Sequence, residues 1–509
     1  MHRFNQVVDQ LTRELNDRRG ECGGFSRQLG KKLPDAKQSV RTIIGKAIAA
    51  MGDRKGYGVA SIHLNANWYS GKGRNIPKFN YRIHIERVYR GLICLGYLHQ
   101  YKKSVSHGGK GLYLTRYRAT TKLVKLFSKS DLMELPVVFA GEMDVEEVIR
   151  IQRVRKEQIP TDRVTRDGSP ITREVKFRDL IDYEDTDFTR GLRRNVDEIN
   201  ARISSKWIDL ELSKAEYHAM IREMISKRNK KAQKDPDSFR PLMLSDRTLY
   251  RVFNDENFQT GGRFYGGWWQ EIPSAYRDRI VIDGKRTVQL DYSGLHPRIL
   301  YAMAGHTLVG DPYELSLTPT LHADDTKGFR KYLKKAFNAM LNAETVMTRP
   351  PRASWGKPKT YLKHWGLKWR QIVDAFYERH PLISHQFFTG VGAKLQRIDS
   401  DIAEDVMLAM HRRSPDIVVL PIHDGFICHH GYETELKVMM LGAYAVRFGE
   451  MPIPEKTSDM TVDVMGVPDT ADWSGLEEDD DDIGRVLDIL DATPAERRLE
   501  VFRRQVCSK

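Results

Sequence analysis

Cysteine is scarce in this chain: four residues in 509, at Cys22, Cys94, Cys428 and Cys507, far apart in sequence. That spacing excludes a disulfide framework and a zinc module built on paired C-x-x-C ligands. Long apolar runs are missing too. None approaches the roughly 20 residues a membrane-spanning helix needs, and the mean hydropathy is −0.53. The opening stretch MHRFNQVVDQLTRELNDRRG has no apolar segment of the secretory-signal kind. A reducing, cytoplasmic setting without membrane contact is therefore expected. What is present excludes extensive disorder. Hydrophobic residues make up 40% and charged residues 29% of 58.8 kDa, enough chain for roughly two to four domains.

Acidic residues are strikingly unevenly placed. Residues 1–130 hold 26 Lys and Arg against 7 Asp and Glu, a net +19, while the other 379 residues net −5. A polyanion is the expected partner of the N-terminal quarter. Within it, Thr42 to Met51 has helical character, and Ile85, Val88, Tyr89, Leu92 and Leu95 form a second helical stripe. Arg82, Arg87 and Arg90 lie off that stripe. Two short alternating segments, Gly96 to Tyr101 and Gly111 to Arg118, flank a His107-Gly-Gly turn and predict a hairpin. Helix, helix and basic hairpin resemble the winged helix-turn-helix domain. The resemblance implies DNA contacts from Arg82, Arg87 and Arg90 and, on the hairpin, from Lys102, Lys103, Lys110, Arg116 and Arg118.

Residues 131–240 read as a charged helical connector, with helical stretches at Gly191 to Ile203 and Ser213 to Ile225 and an exposed basic run at Lys227 to Lys234. Asp209-Leu-Glu211 reads as a helix surface rather than an exonuclease carboxylate pair. At the far end an acidic run, Glu477 to Asp482, precedes a short amphipathic helix from Pro494 to Val506 opened by a Thr493-x-x-Glu496 capping box.

Three segments carry candidate chemistry. Thr287 to Leu290 predict a strand ending at Asp291, followed by a helix over Leu295 to Met303. Lys327 to Leu341 predicts a helix with Arg330, Lys334, Asn338 and Leu341 near one face and an apolar stripe of Phe329, Leu333 and Phe337. Two cations one turn apart suit a triphosphate. Asp416 to Cys428 predicts two apolar strands joined at His423-Asp424-Gly425, which can bring Asp424 beside Asp291. Paired carboxylates sharing two divalent cations are what two-metal phosphoryl transfer requires.

In that order the three segments resemble the motifs of family A (DNA polymerase I-like) polymerases. Asp291-Tyr-Ser-x-x-x-x-Arg298 is similar to D-Y-S-x-I-E-L-R, Arg330-x-x-x-Lys334 to the start of the fingers-helix motif, and Ile422-His-Asp-Gly425 to V-H-D-E. Thr260-Gly-Gly-Arg263, Gln270-Glu-Ile-Pro273, Tyr377 to Pro381 and Gln396-x-x-x-x-Asp401 resemble flanking elements. The resemblance covers roughly residues 241–465. It implies that Asp291 and Asp424, with the Tyr292 carbonyl, ligate two Mg²⁺ ions, for which Mn²⁺ can substitute. It also implies catalytic and triphosphate-binding roles for Lys334 with Arg330, a nucleotide contact from Asn338, and a sugar-screening role for His296. Arg263, Gln396, His423 and Arg298 would contact the primer-template. Three departures stand out: Asn338, Asn342 and Ala343 replace the aromatic and Tyr-Gly positions, with Phe337 one residue away; Gly425 replaces Glu; and His296 replaces the screening Glu.

The expected fold is α+β and multidomain. A winged helix-turn-helix occupies 1–130, a helical connector or thumb 131–240, an antiparallel polymerase palm with reduced helical fingers 241–468, and an acidic linker with a short helix 469–509. The expected function is template-directed DNA polymerisation without proofreading, for a phage, plasmid or other mobile element. Its partners would be primer-template, deoxynucleoside triphosphates and a specific or forked DNA site bound by the N-terminal domain. The rivals are a single-subunit RNA polymerase or primase, and a catalytically degenerate DNA-binding initiator or regulator.

Overall fold

A computed structural model describes residues 2–21, 28–52, 59–62, 64, 66, 69, 79–102, 106–107, 110–111, 115–128, 147–164, 170–227, 242, 244, 246–317, 326–351 and 362–449. These form an α+β protein with antiparallel sheets. Among them no helix is long and apolar enough to cross a membrane. The acidic run and the final helix, at 477–506, lie outside the described residues, as does the basic run at 228–234.

The N-terminal module has its own apolar core. Helix α1 (His2–Asp17) buries Phe4, Val7, Val8, Leu11 and Leu15, and α2 (Leu33–Gly52) buries Val40, Ile43, Ile44, Ala47 and Ile48. Both sets recur at three- and four-residue spacing, the signature of one packed helical face. Helix α3 is π-helical over Arg82–Tyr89 and α-helical over Arg90–Cys94. A sheet of order β1–β5–β2 closes the module: β1 is Val59–Ile62, β2 Leu98–Lys102 and β5 Thr115–Ala119, with two-residue strands β3 (Ser106–His107) and β4 (Lys110–Gly111) between the last two. The Tyr117 hydroxyl donates to the Ile43 carbonyl at 3.1 Å, fixing sheet to helix.

Arg82 and Arg90 are exposed, but Arg87 is 8% exposed and turns towards Arg18 and Arg19. The end of α1 covers this face of α3: Leu15 lies against Gly91, one turn from Arg87. Burial, then Arg19, lowers its pKa. Arg116 and Arg118 are half-buried on β5. Lys102 and Lys110 are described in backbone only, and Lys103 lies outside the described residues. Cys94 is disulfide-bonded, a departure from fully reduced cysteines, whereas Cys428 is a buried free thiol.

The second core runs from Val148 to Tyr444, so the boundary expected at 240 separates no two cores. The connector is also not wholly helical. Strands β6 (Ile149–Val164) and β7 (Pro170–Ile181) form a long hairpin whose base joins β9 (Tyr250–Phe253) and β10 (Gly261–Tyr265) in the order β10–β9–β6–β7. Charged side chains at alternate positions hide its period of two from a hydrophobicity reading. Helices α4 (Asp187–Ser204) and α5 (Lys214–Lys227) follow, as expected, on either side of β8 (Ile208–Leu210). Asp209 therefore lies in a strand, fully buried, not on a helix surface. It accepts from Trp207 Nε1 at 3.3 Å and from the Leu210 amide at 2.8 Å.

The central sheet has the order β13–β14–β12–β11–β8, all antiparallel, with β11 Ile280–Ile282, β12 Lys285–Asp291, β13 Val419–Ile422 and β14 Gly425–His429. The remaining helices are α6 (Leu295–Met303), α7 (Thr326–Asn342), α8 (Trp369–Arg379), α9 (Gly392–Arg413) and α10 (Glu433–Phe448).

A buried arginine locks α9 to the hairpin sheet. Arg251 on β9 is fully buried; it donates from Nη1 to Glu404 (2.6 Å), from Nη2 to Asp401 and Ser400 (2.8 Å each), and from Nε to the Gly262 carbonyl (2.7 Å). Arg251→Met should lower the unfolding free energy by about 3–5 kcal/mol, because it strands buried Glu404. The double variant with Glu404→Leu should recover part of that loss. Denaturant melts of the two variants check this expectation.

Candidate active site

Register brings the two carboxylates together. Asp291 is the last residue of β12 and pairs with Gly425, the first of β14, while Ile422 closes the β13–β14 hairpin against the same glycine. His423 and Asp424 thus form a two-residue turn beside Asp291. The Tyr292 amide donates to the Asp424 carbonyl at 3.2 Å, extending the pairing past the strand end. Trp269 Nε1 and Gln270 Nε2 each donate to the Pro421 carbonyl at 3.1 Å, anchoring the hairpin from below. His423 takes φ of 55°, a left-handed conformation rare outside glycine. Strain of this kind clusters at functional sites.

Gly425 has a spatial reason. A Cβ at this position would overlap Asp291 Oδ1. A glutamate here, as the resemblance would have it, has no room while Asp291 keeps its place. Gln289 Nε2 donates to both Asp291 oxygens, at 3.1 and 3.0 Å. Asp291 is exposed to solvent, yet the surrounding protein still desolvates it in part. Its pKa is raised, first by that desolvation and then by the charge of Asp424, against the pull of Gln289, Arg277 and Lys334. Like charges resist joint ionisation unless cations are shared between them. Burial and then Arg263 lower the His423 pKa, so this imidazole is neutral at neutral pH.

Helix α7 supplies the cations. Phe329, Leu333 and Phe337 are buried, leaving Arg330 and Lys334 exposed one turn apart. Arg330 grips Asp311 through two hydrogen bonds of 2.6 and 3.1 Å and lies over the Tyr313 ring at 5.5 Å. Lys334 has no ion-pair partner among the described residues, and its charge reaches Asp291. Asn338 is half-buried, and its carbonyl accepts from Asn342 Nδ2 at 2.7 Å. Phe337 offers no stacking platform. It is fully buried against Tyr313, Phe376, His380 and Phe387.

Asp399 on α9, 2% exposed, links two further site residues. It accepts from Arg263 Nη2 at 2.6 Å and bonds His296 Nε2 at 2.7 Å. Burial opposes the Arg263 charge, but the bond to Asp399 more than offsets it and leaves the pKa raised. Gln396 is half-buried one turn away on the same helix. Arg298 does not join the site. It is buried, and it donates from Nε to the Ser293 carbonyl (2.9 Å) and from Nη1 to the Leu308 carbonyl (3.0 Å).

No protein-family model, no curated protein and no solved structure matches this chain.

Among the described residues no group of three or more His, Cys, Asp and Glu side chains is gathered for a metal. The donor set is the Asp291–Asp424 pair. Two hard oxygen donors of like charge, one of them disfavoured as an anion by the other, fit hydrated Mg²⁺, which needs only one or two carboxylates. Sequence reasoning missed Asp399 and Arg277. Arg277, half-buried on the turn Ser274–Arg279, has a buried Nε without a hydrogen-bond partner, and burial lowers its pKa against the opposing charge of Asp291. Only the folded sheet brings it to the carboxylates, and no motif marks it.

The raised Asp291 pKa has a thermodynamic consequence. The folded state holds that proton more tightly than the unfolded chain, so this contribution to stability is present at acid pH and lost as pH rises through the folded value. In metal-free buffer, Asp291→Asn should therefore raise the melting temperature at pH 7, and the gain should vanish towards the carboxylate range. Gly425→Ala should cost about 1–3 kcal/mol by overpacking. Thermal melts across pH check both.

Proposed function

We propose that the chain is a template-directed DNA polymerase that transfers nucleotidyl groups by a two-metal mechanism and lacks proofreading. The observation that carries this reading is the placement of Asp291 and Asp424 on adjacent strand ends, with Lys334 in electrostatic reach. The order of the motifs resembling family A polymerases supports it. So does the N-terminal order of helices followed by a basic hairpin in a three-stranded sheet, which resembles a winged helix.

Asp291 and Asp424, with the Tyr292 carbonyl, would hold two Mg²⁺ ions. When bound, the ions lower the pKa of the attacking hydroxyl and offset charge on the leaving pyrophosphate. The chain's own residues provide positioning. Lys334 offers a point charge to the triphosphate, and Arg330 exchanges the Asp311 carboxylate for phosphate oxygens in the same fork geometry. His296, held by Asp399, would supply the bulk that excludes a ribose 2′-hydroxyl. Neutral His423, on the turn beside Asp424, suits a contact with the primer end. The basic N-terminal module would hold DNA at an initiation site.

Primer extension in Mg²⁺ should fall on the order of a hundred- to a thousandfold or more in Asp291→Ala and in Asp424→Ala. His296→Gly should admit ribonucleotides. Extension that survives both aspartate substitutions defeats the assignment of the reaction to this pair, and no extension by the unaltered protein defeats the enzymatic reading and leaves a DNA-binding initiator. Unchanged sugar choice in His296→Gly defeats the screening role. Deleting residues 1–130 should remove most salt-sensitive DNA affinity, and an unaltered salt slope in binding assays would contradict it.

A further inference from the structure

Asp399 stands at one of the open positions of the Gln396-x-x-x-x-Asp401 segment, yet it is the residue of α9 that Arg263 and His296 both reach. The two come from different elements, Arg263 from β10 and His296 from the first turn of α6. Both short bonds end on the same carboxylate oxygen. Arg263 Nη2 donates to Oδ2 at 2.6 Å and His296 Nε2 lies 2.7 Å from it, while Arg263 Nε reaches Oδ1 only at 3.4 Å. A carboxylate has no hydrogen to give, so His296 Nε2 carries the hydrogen of its bond.

Burial makes this sharing consequential. The Asp399 side chain is 1% exposed, against 21% for Arg263 and 15% for His296. Water has little access to Oδ2, so a donor that withdraws is not replaced from solvent, and in so dry a place each bond polarises the other. The backbones around the pair are anchored separately. A Cβ on Gly262, whose φ is +79°, would come within 2.9 Å of Ser400 Oγ, and Arg251 bonds both the Gly262 carbonyl and Ser400. On the other side Gly294 opens α6 against the Pro312 ring, 2.8 Å from where a Cβ would lie. A change at one donor therefore passes to the other through the Asp399 side chain. The charge of Asp399 also reaches His423, on the turn beside Asp424.

We propose that Asp399 is a positioning residue that makes sugar selection at His296 depend on how the primer end is seated at Arg263. The inference rests on the polymerase reading above and names a regulation of that same site. A correctly paired primer end leaves both bonds to Oδ2 in place. A mispaired end draws the guanidinium aside, the ring loses the opposing donor that sets its angle, and the screen against the 2′-hydroxyl loosens.

Primer extension by the full-length protein in Mg²⁺ tests this, read as the ratio of kcat/KM for a deoxynucleotide to that for the matching ribonucleotide. In the unaltered protein that ratio should fall about tenfold when the terminal primer base is mispaired, the loss expected of one charge-assisted hydrogen bond. Asp399→Asn should give the lower ratio on paired and mispaired ends alike. A merely structural role would lower extension with both sugars in proportion and keep the dependence of their ratio on pairing, which overturns the proposal. Should Asp399→Asn fail to fold, Arg263→Lys and His296→Gln carry the test: their effects on the ratio should be non-additive by about the same factor. A ratio that ignores the mismatch in the unaltered protein, or additive effects of those two substitutions, overturns the coupling while primer extension itself continues. No extension by the unaltered protein defeats the polymerase reading, and the coupling falls with it.

Discussion

Two aspartates at neighbouring strand ends, near enough for the charge of Asp424 to raise the Asp291 pKa, are the constraint on which the proposed site depends. The antiparallel register of β12 and β14 sets Asp291 opposite Gly425, and the absence of a side chain at 425 leaves space for the Asp291 carboxylate. Each neighbouring element meets a consequence of that choice. Gln289 donates to both oxygens, Arg277 and Lys334 offer positive charge, and the carbonyl of Pro421 is gripped twice so that the hairpin cannot drift. A pair of anions so placed is uncomfortable without cations. That discomfort is the physical content of the proposed metal site.

Behind this pair, helix α9 serves as the organising strut. Its Asp399 fixes Arg263 and His296 from one buried carboxylate, while Ser400, Asp401 and Glu404 receive the buried guanidinium of Arg251. Buried charges of this kind are satisfied only in one geometry, so they define position more than they add stability. The long β6–β7 ribbon grows from the same sheet that Arg251 secures. The His296–Asp399–Arg263 group and the sheet from which the ribbon grows thereby meet on one helix.

Much of the site was legible in sequence because its signals are local. The strand ending at Asp291, the apolar stripe of Phe329, Leu333 and Phe337, and the apolar strands flanking His423-Asp424 each follow from short-range periodicity. The rest depended on long-range contacts. On α9 Gln396 and Asp401 match the motif, yet Asp399 faces His296; two residues before Asp401, it stands about 200° round the helix from it. Arg251 and Arg277 carry no pattern of their own. Arg87 is buried because the end of α1 covers its face of α3, a long-range contact, and Phe337 is consumed by its aromatic neighbours. The β-ribbon was read as helical connector because its alternation is one of charge and not of apolarity.

The most direct measurement is Mn²⁺ binding by the intact protein, followed by electron paramagnetic resonance with and without a nucleoside triphosphate. The account predicts bound Mn²⁺ in the unaltered chain, with occupancy strengthened by the nucleotide and abolished by Asp291→Asn or Asp424→Asn. Equal binding in all three proteins, or none in any, would contradict a shared metal site at this pair of carboxylates.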